Sequence, residues 1–87
     1  MRESTIEANC SKWAKGNGWL GFKFSSPQQR GVPDRLYIKD GSTVYVEFKA
    51  PGKLPTKYQL HTIAKMQAKG ATVHVIDDLK DFINVMS

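Results

Sequence analysis

The sequence has few of the residues that build disulfides, zinc sites or membrane segments. Its 87 residues contain a single cysteine, Cys10, so no internal disulfide can form. Cys10 with His61 and His74 cannot supply the four ligands of a structural zinc site. No apolar run approaches the roughly 20 residues that cross a bilayer, and the N-terminus does not resemble a signal peptide. We therefore expect a protein of a reducing, cytoplasmic compartment.

Acidic residues are also scarce in the middle of the chain. Residues 12–69 contain eleven basic residues and only three acids, Asp34, Asp40 and Glu47, so this segment carries a net charge of +8. Such a segment suits a polyanion, DNA or RNA. A merely basic, well-solvated surface would have the same composition, so the charge alone does not decide between the two.

Two helix starts have the spacing of a capping box, in which a hydroxyl side chain and a residue three positions later exchange hydrogen bonds. Ser4 and Glu7 predict a first helix that runs to about Lys15. Thr56 and Gln59 repeat the pattern and predict a second helix. In both cases the acid or amide could be no more than a capping partner.

The rest of the pattern predicts one α/β domain over residues 1–87, in the order α-β-β-β-α-β-α with a mixed sheet. Asp77 is predicted to cap a short C-terminal helix. Four segments with alternating or β-branched character are predicted strands: Trp19–Ser25, Asp34–Lys39, Thr43–Lys49 and Ala71–Ile76. Residues 25–33 and 50–55 are rich in Pro, Gly and Ser, and predict loops.

The dipeptide Asp40-Gly41 is the strongest hairpin signal in the chain. If it forms a two-residue turn, Asp34 faces Glu47, with Cβ atoms about 4.5–5.5 Å apart. Lys49 lies two residues beyond Glu47 and projects from the same face. A three-residue loop would break this register and leave both acids solvated at strand ends.

Two like charges that face each other across a hairpin normally destabilise it. A divalent cation between Asp34 and Glu47 would explain why a basic protein places two of its few acids together. Mg²⁺ takes oxygen ligands, commonly one or two carboxylates together with waters and phosphates. The register therefore predicts a metal site.

The segment Gly31-Val32-Pro33-Asp34, followed after twelve residues by Glu47-Phe48-Lys49, resembles the PD-(D/E)XK nuclease signature. A longer set of motifs, covering nearly the whole chain in order, is similar to the stand-alone phage form of the virus-type replication-repair nuclease (VRR-NUC) domain. These motifs are Glu7, Lys23-Phe24, Ser26-Pro27, Gly31–Leu36, Val46–Gly52 and Gln59.

This resemblance implies a restriction-endonuclease-like core, a mixed four-stranded sheet flanked by helices. It also implies a DNA endonuclease that hydrolyses phosphodiester bonds with Mg²⁺ or Mn²⁺. Stand-alone phage members are homodimers that act on four-way junctions, so the resemblance favours branched DNA, such as a Holliday junction, inside a bacterial host cell. The alternative from another class is a basic nucleic-acid-binding module without catalysis.

By the same resemblance, Asp34 and Glu47 are metal ligands together with the backbone carbonyl of Phe48. Glu7 completes the acidic cluster, directly or through a water. Glu3 is a rival for that role, although it falls before the predicted N-cap.

Two further residues have catalytic roles by resemblance. Lys49 orients the attacking water and helps to deprotonate it, and Gln59 positions that water or the lysine. Lys49 could instead be an edge lysine that protects the sheet from aggregation.

Residues around this site are expected to contact DNA phosphates: Lys23, Ser26, Arg30, Arg35, Lys53 and Lys57. The dimer interface is expected on apolar surface, either around Trp13 of the first helix or on the hairpin side that bears Tyr37 and Tyr45.

Overall fold

The computed structural model describes residues 1–87 and has three helices and four strands in the predicted order. The elements are α1 (Glu3–Gly16), β1 (Leu20–Lys23), β2 (Arg35–Lys39), β3 (Ser42–Phe48), α2 (Lys57–Ala68), β4 (Thr72–Ile76) and α3 (Leu79–Met86). The longest helix has 14 residues. None of the three combines the length and apolar character needed to cross a membrane.

The four strands form one mixed sheet in the order β1-β2-β3-β4. The first three strands are antiparallel neighbours, and β4 runs parallel to β3 because α2 carries the chain back along the sheet. The mixed sheet flanked by helices confirms the predicted fold class.

The β2–β3 hairpin has the predicted register. Lys39 pairs with Ser42, and Arg35 pairs with Val46 at the far end of the ladder. Asp40 and Gly41 have φ values of 51° and 80°. Positive φ at both central residues matches the type I′ turn, whose twist suits a two-residue hairpin. The register therefore brings residue 34, just before β2, and residue 47, near the end of β3, to the same end of the two central strands.

Helices α1 and α3 cover one face of the sheet and form the core with it. Phe82 of α3 is fully buried, and its ring packs against Tyr37 at 5.5 Å and Phe48 at 6.1 Å between centroids. Trp13 of α1 meets Phe82 edge to face at 6.0 Å. Because Trp13 is half-buried against this cluster, only part of its indole remains for an interface.

The opposite face is covered by α2 only over part of its width. Ile63 of α2 and Val73 of β4 are buried on this side. Further along the same face, Leu20, Phe22 and Ile38 are 56%, 50% and 36% exposed. The β1–β2 part of this face is therefore an open apolar surface.

The expectation that one side of the hairpin bears both Tyr37 and Tyr45 is wrong. Tyr37 pairs with Val44 and Tyr45 pairs with Leu36, so the two tyrosines point to opposite faces. Tyr37 is 1% exposed beneath α1 and α3, where its hydroxyl bonds with that of Ser11 at 2.9 Å. It is not available to a partner.

Two predicted helix caps also differ from the structure. Helix α1 begins at Glu3 with Arg2 as an N-cap that makes no side-chain bond, so the Ser4–Glu7 capping box does not form. Asp78, not Asp77, caps α3 by accepting from the Asp81 N–H at 3.1 Å. The Asp77 carboxylate accepts instead from the Gly52 N–H at 3.1 Å.

Candidate active site

Three carboxylates lie close together at the end of the sheet where β2 begins and β3 ends. Asp34 precedes β2, Glu47 is the penultimate residue of β3, and Glu3 opens α1. One oxygen from each of the three lies within 4.8 Å of the others. The hairpin register brings Asp34 to Glu47, and the first turn of α1 adds the third acid.

Burial raises the pKa values of Asp34 and Glu47. Glu47 is 1% exposed. Desolvation, with repulsion from Asp34 next, raises the pKa of Glu47 to about 7 against the opposing attraction of Lys49. Desolvation also raises the pKa of Asp34, while the hydrogen bond from the Phe48 N–H, at 2.8 Å, opposes this shift.

The oxygens of Glu47 have unequal surroundings. Oε2 accepts a hydrogen bond from Gln59 Nε2 at 2.7 Å, whereas Oε1 is buried without any partner. A buried carboxylate oxygen without a partner is costly, and a cation beside Asp34 and Glu3 would satisfy it. An all-oxygen set of this kind fits a hard divalent ion such as Mg²⁺ or Mn²⁺.

The backbone N–H of Phe48, the residue after Glu47, also lies beside the acidic cluster. Asp34 Oδ2 accepts from the Phe48 N–H, which fixes this peptide beside the acids. The Phe48 carbonyl as a ligand stays a prediction.

Lys49 is held next to the carboxylates by the end of the parallel ladder. Its N–H donates to the Ile76 carbonyl at 2.9 Å, which extends the β3–β4 pairing by one residue. Its Nζ lies 3.5 Å from Glu47 Oε2, and the side chain is largely buried. A basic group is thus directed at the acidic cluster instead of into solvent.

Gln59 closes the predicted capping box and also contacts the acidic cluster, while its role toward the attacking water or Lys49 stays a prediction. Its Oε1 accepts from the Thr56 N–H at 2.8 Å, and the Thr56 hydroxyl accepts from the Gln59 N–H, so the predicted capping box is confirmed. Its Nε2 simultaneously donates to Glu47. An amide can do both because it has a separate donor and acceptor.

Glu7 lies one helical turn after Glu3 but has a different partner. Its Oε2 accepts from Arg35 Nε at 2.7 Å, in a half-buried ion pair. It remains close enough to Asp34 to add to the rise of that pKa. The three-acid group, however, contains Glu3 and not Glu7. This favours the rival, Glu3: the expected Ser4 cap left Glu3 outside the helix, whereas α1 begins at Glu3 after Arg2, which makes no side-chain capping bond.

The loop between β1 and β2 is fastened to α2 beside the site. Gly31 has φ +81°, and a Cβ there would lie 2.6 Å from the Tyr58 carbonyl oxygen, so only glycine fits. Thr62 Oγ1 donates to the Arg30 carbonyl at 2.7 Å. These contacts set the position of the loop that leads into Asp34.

The residues predicted to contact DNA differ in their solvent exposure and in whether they already have a side-chain partner. Lys23, Lys53 and Lys57 are exposed, on β1, on the loop after β3 and at the start of α2. Arg30 is exposed and lies 5.6 Å from the Tyr58 ring centroid. Ser26 is half-buried in the loop, and the Arg35 guanidinium is already paired with Glu7.

Two known proteins are similar to this chain over most of its length. No family model matches the chain. A protein named "Putative nuclease p44", from Acyrthosiphon pisum secondary endosymbiont phage 1, is 44% identical over 78 residues, which cover 88% of this chain and 84% of the relative. A solved structure described as "VRR_NUC domain" superposes with a TM-score of 0.88 at 24% identity, over 97% of this chain and 92% of the other.

Proposed function

Because the chain belongs to the virus-type replication-repair nuclease (VRR-NUC) family, we propose that it is a divalent-metal-dependent DNA endonuclease. One observation carries this proposal. A buried carboxylate, Glu47, has an oxygen without a partner within a cluster that also contains Asp34 and Glu3. An ionised carboxylate in this arrangement is costly unless a cation is bound.

The site residues would have different roles in phosphodiester hydrolysis. Asp34, Glu47 and Glu3 would hold the ion, with the Phe48 carbonyl beside them. A bound divalent ion activates water and neutralises charge on the phosphate. Lys49, whose Nζ lies 3.5 Å from Glu47 Oε2, would orient the attacking water, help to remove its proton and offset the charge that develops on the phosphate.

Gln59 acts through another residue. Its hydrogen bond to Oε2 fixes the rotamer of Glu47 and leaves Oε1 for the ion. Exposed basic side chains would contact phosphates on either side of the cut, without reading the DNA sequence. These are Lys23, Arg30, Lys53 and Lys57.

We further propose that the substrate is branched DNA, such as a Holliday junction, and that the active species is a two-fold homodimer. Leu20, Phe22 and Ile38 support the dimer, because they share one face of the sheet and no element of this chain covers them. Two sites related by a two-fold axis could cut two strands of a symmetric substrate. Light scattering during size exclusion tests this, and Phe22→Lys should convert the dimer to a monomer.

The function is tested by incubating the protein with a four-way junction, a flap, a nicked duplex and a plain duplex in Mg²⁺, Mn²⁺ or Ca²⁺. We expect cleavage in Mg²⁺ or Mn²⁺, fastest on the junction, and none with Asp34→Asn. Lys80→Gln on α3, far from the site in the sequence, is the matched control that should cleave normally. Tight DNA binding without cleavage in any metal would instead favour the non-catalytic basic module.

A further inference from the structure

A second groove lies beside the candidate active site and has no part in the chemistry described above. It has a volume of about 590 Å³ and runs between α2 and the sheet. The loop after β1 forms one wall, with Ser26, and α2 forms the other, with Lys65, Met66 and Lys69. Phe24 and Tyr45 lie in the groove as a pair of aromatic rings.

The aromatic pair is placed by the same strands that place the catalytic acids. The Phe24 N–H donates to the Asp34 carbonyl at 2.9 Å, so Phe24 continues the β1–β2 ladder next to Asp34. Tyr45 lies two residues before Glu47 and therefore on the same face of β3, about 7 Å along the strand. The ring centroids are 5.5 Å apart and the ring planes are tilted by 52°. Both side chains are only half-buried, so parts of the rings remain accessible.

The charge of the groove has one sign. Lys65 and Lys69 are exposed and lie four residues apart, so they share one side of α2. Neither has an ion-pair partner in the structure. No acid lies among the residues that line the groove. A surface that combines accessible aromatic rings with unpaired lysines is typical of proteins that bind single-stranded nucleic acid.

We propose that this groove binds an unpaired base of the DNA strand that leaves the active site. The base packs against Phe24 and Tyr45, Lys65 and Lys69 contact the phosphates that flank it, and the Ser26 hydroxyl is available to its polar edge. This inference rests on the proposed function. It adds that the protein distinguishes DNA with an unpaired segment near the cut from fully paired duplex.

A second copy of this chain is a less suitable occupant. The chain carries a net charge of +5, so a second copy would bring more positive charge towards two unpaired lysines. The open apolar surface at Leu20, Phe22 and Ile38 lies on β1 and β2, whereas the groove residues of the sheet lie at Phe24 and Tyr45.

The test measures binding and not cleavage. Two DNAs share one duplex, and one of them carries a four-nucleotide single-stranded arm that contains 2-aminopurine, whose fluorescence falls when it stacks. Affinity and fluorescence are measured in Ca²⁺ for the wild type, for Tyr45→Leu, and for Lys65→Gln combined with Lys69→Gln. Tyr45→Phe keeps the ring, and Lys12→Gln combined with Lys80→Gln removes the same charge outside the groove.

We expect the wild type to bind the armed DNA roughly tenfold more tightly than the plain duplex and to quench the probe, since one stacked base supplies this order of affinity. Tyr45→Leu and the Lys65/Lys69 double variant should lose most of this preference and keep their affinity for duplex. Tyr45→Phe and the Lys12/Lys80 double variant should keep the preference.

An unchanged preference in Tyr45→Leu would overturn the inference, provided that circular dichroism shows a folded protein. A loss of the dimer in Tyr45→Leu with the arm preference intact would also overturn it and assign the groove to a second copy. Failure of the proposed function has a different signature, because the wild type would then cleave no DNA in any metal while its preference for the armed DNA persisted.

Discussion

The side-chain amide of Gln59 lies 2.7 Å from Glu47 and joins the first turn of α2 to this buried carboxylate of β3. The same amide closes the capping box with Thr56. The start of a helix and the orientation of the buried Glu47 carboxylate therefore depend on one side chain. The two contacts also fix which way the amide points, because only its nitrogen can donate to Glu47 and only its oxygen can accept from Thr56.

Replacing Gln59 by alanine should lower cleavage about tenfold to a hundredfold, because the partner that orients Glu47 is lost. Thr56→Ala is the matched control, since it removes the cap at a cost of about 1 kcal/mol but leaves the bond to Glu47. Single-turnover rates in Mg²⁺ and thermal melts separate the two effects. Equal activity losses in both variants would mean that Gln59 acts through helix stability alone.

Glu47 should make the metal-free protein less stable as the pH rises. Its folded pKa, about 7, lies above the ordinary value of 4.5. The folded state therefore binds the Glu47 proton more tightly than the unfolded state does. The resulting contribution to the free energy of unfolding is complete below pH 4.5 and is lost as the pH rises through 7. Glu47→Gln cannot titrate. Thermal melts in EDTA should show Glu47→Gln gaining stability relative to the wild type between pH 5 and pH 8, and a constant difference would contradict the prediction.

Glu3 and Glu7 should respond differently to removal of their charge. Glu3→Gln should weaken Ca²⁺ binding by at least about tenfold, because it removes one member of the three-acid group. Glu7→Gln should weaken it less and should mainly loosen Arg35, its ion-pair partner. Calorimetric titration with Ca²⁺ measures both affinities. The opposite order would restore Glu7 as the ligand from the first helix.

The exposed lysines near the site should contribute to DNA affinity through phosphate contacts alone. Lys53→Ala and Lys57→Ala should each lower the slope of log affinity against log salt by about 0.9 on duplex DNA. Lys80→Ala on α3 should leave the slope unchanged, because the neighbouring Asp77, Asp78 and Asp81 make that end of the chain acidic. The slopes are measured in Ca²⁺ by fluorescence anisotropy. Three equal slopes would remove Lys53 and Lys57 from the DNA-binding surface.

Local rules predicted those parts of the site that depend on neighbouring residues. The Asp40-Gly41 turn fixed the register that places Asp34 near Glu47, because its backbone requirement is met by few dipeptides. The Thr56–Gln59 capping box formed for the same reason. The same register requires Tyr37 and Tyr45 to point to opposite faces, so local rules alone contradict a shared side for them.

Packing between distant elements could not be predicted in the same way. Helix α1 begins at Glu3 without a capping side chain, so its start depends on the packing of Ile6 and Cys10 against the sheet. That packing decides which glutamate reaches the acids. The bond from Gln59 to Glu47 likewise requires α2 to lie at a definite place over β3, which no local pattern encodes.

Gly31 has a consequence for motion. Its backbone lies directly against Tyr58, and Thr62 ties Arg30 to the same helix, so the loop that leads into Asp34 and the helix that holds Gln59 cannot separate without breaking both contacts. Opening of the loop and fraying of the helix start are therefore one cooperative event. The amide hydrogens on both segments should therefore exchange with solvent at a common rate.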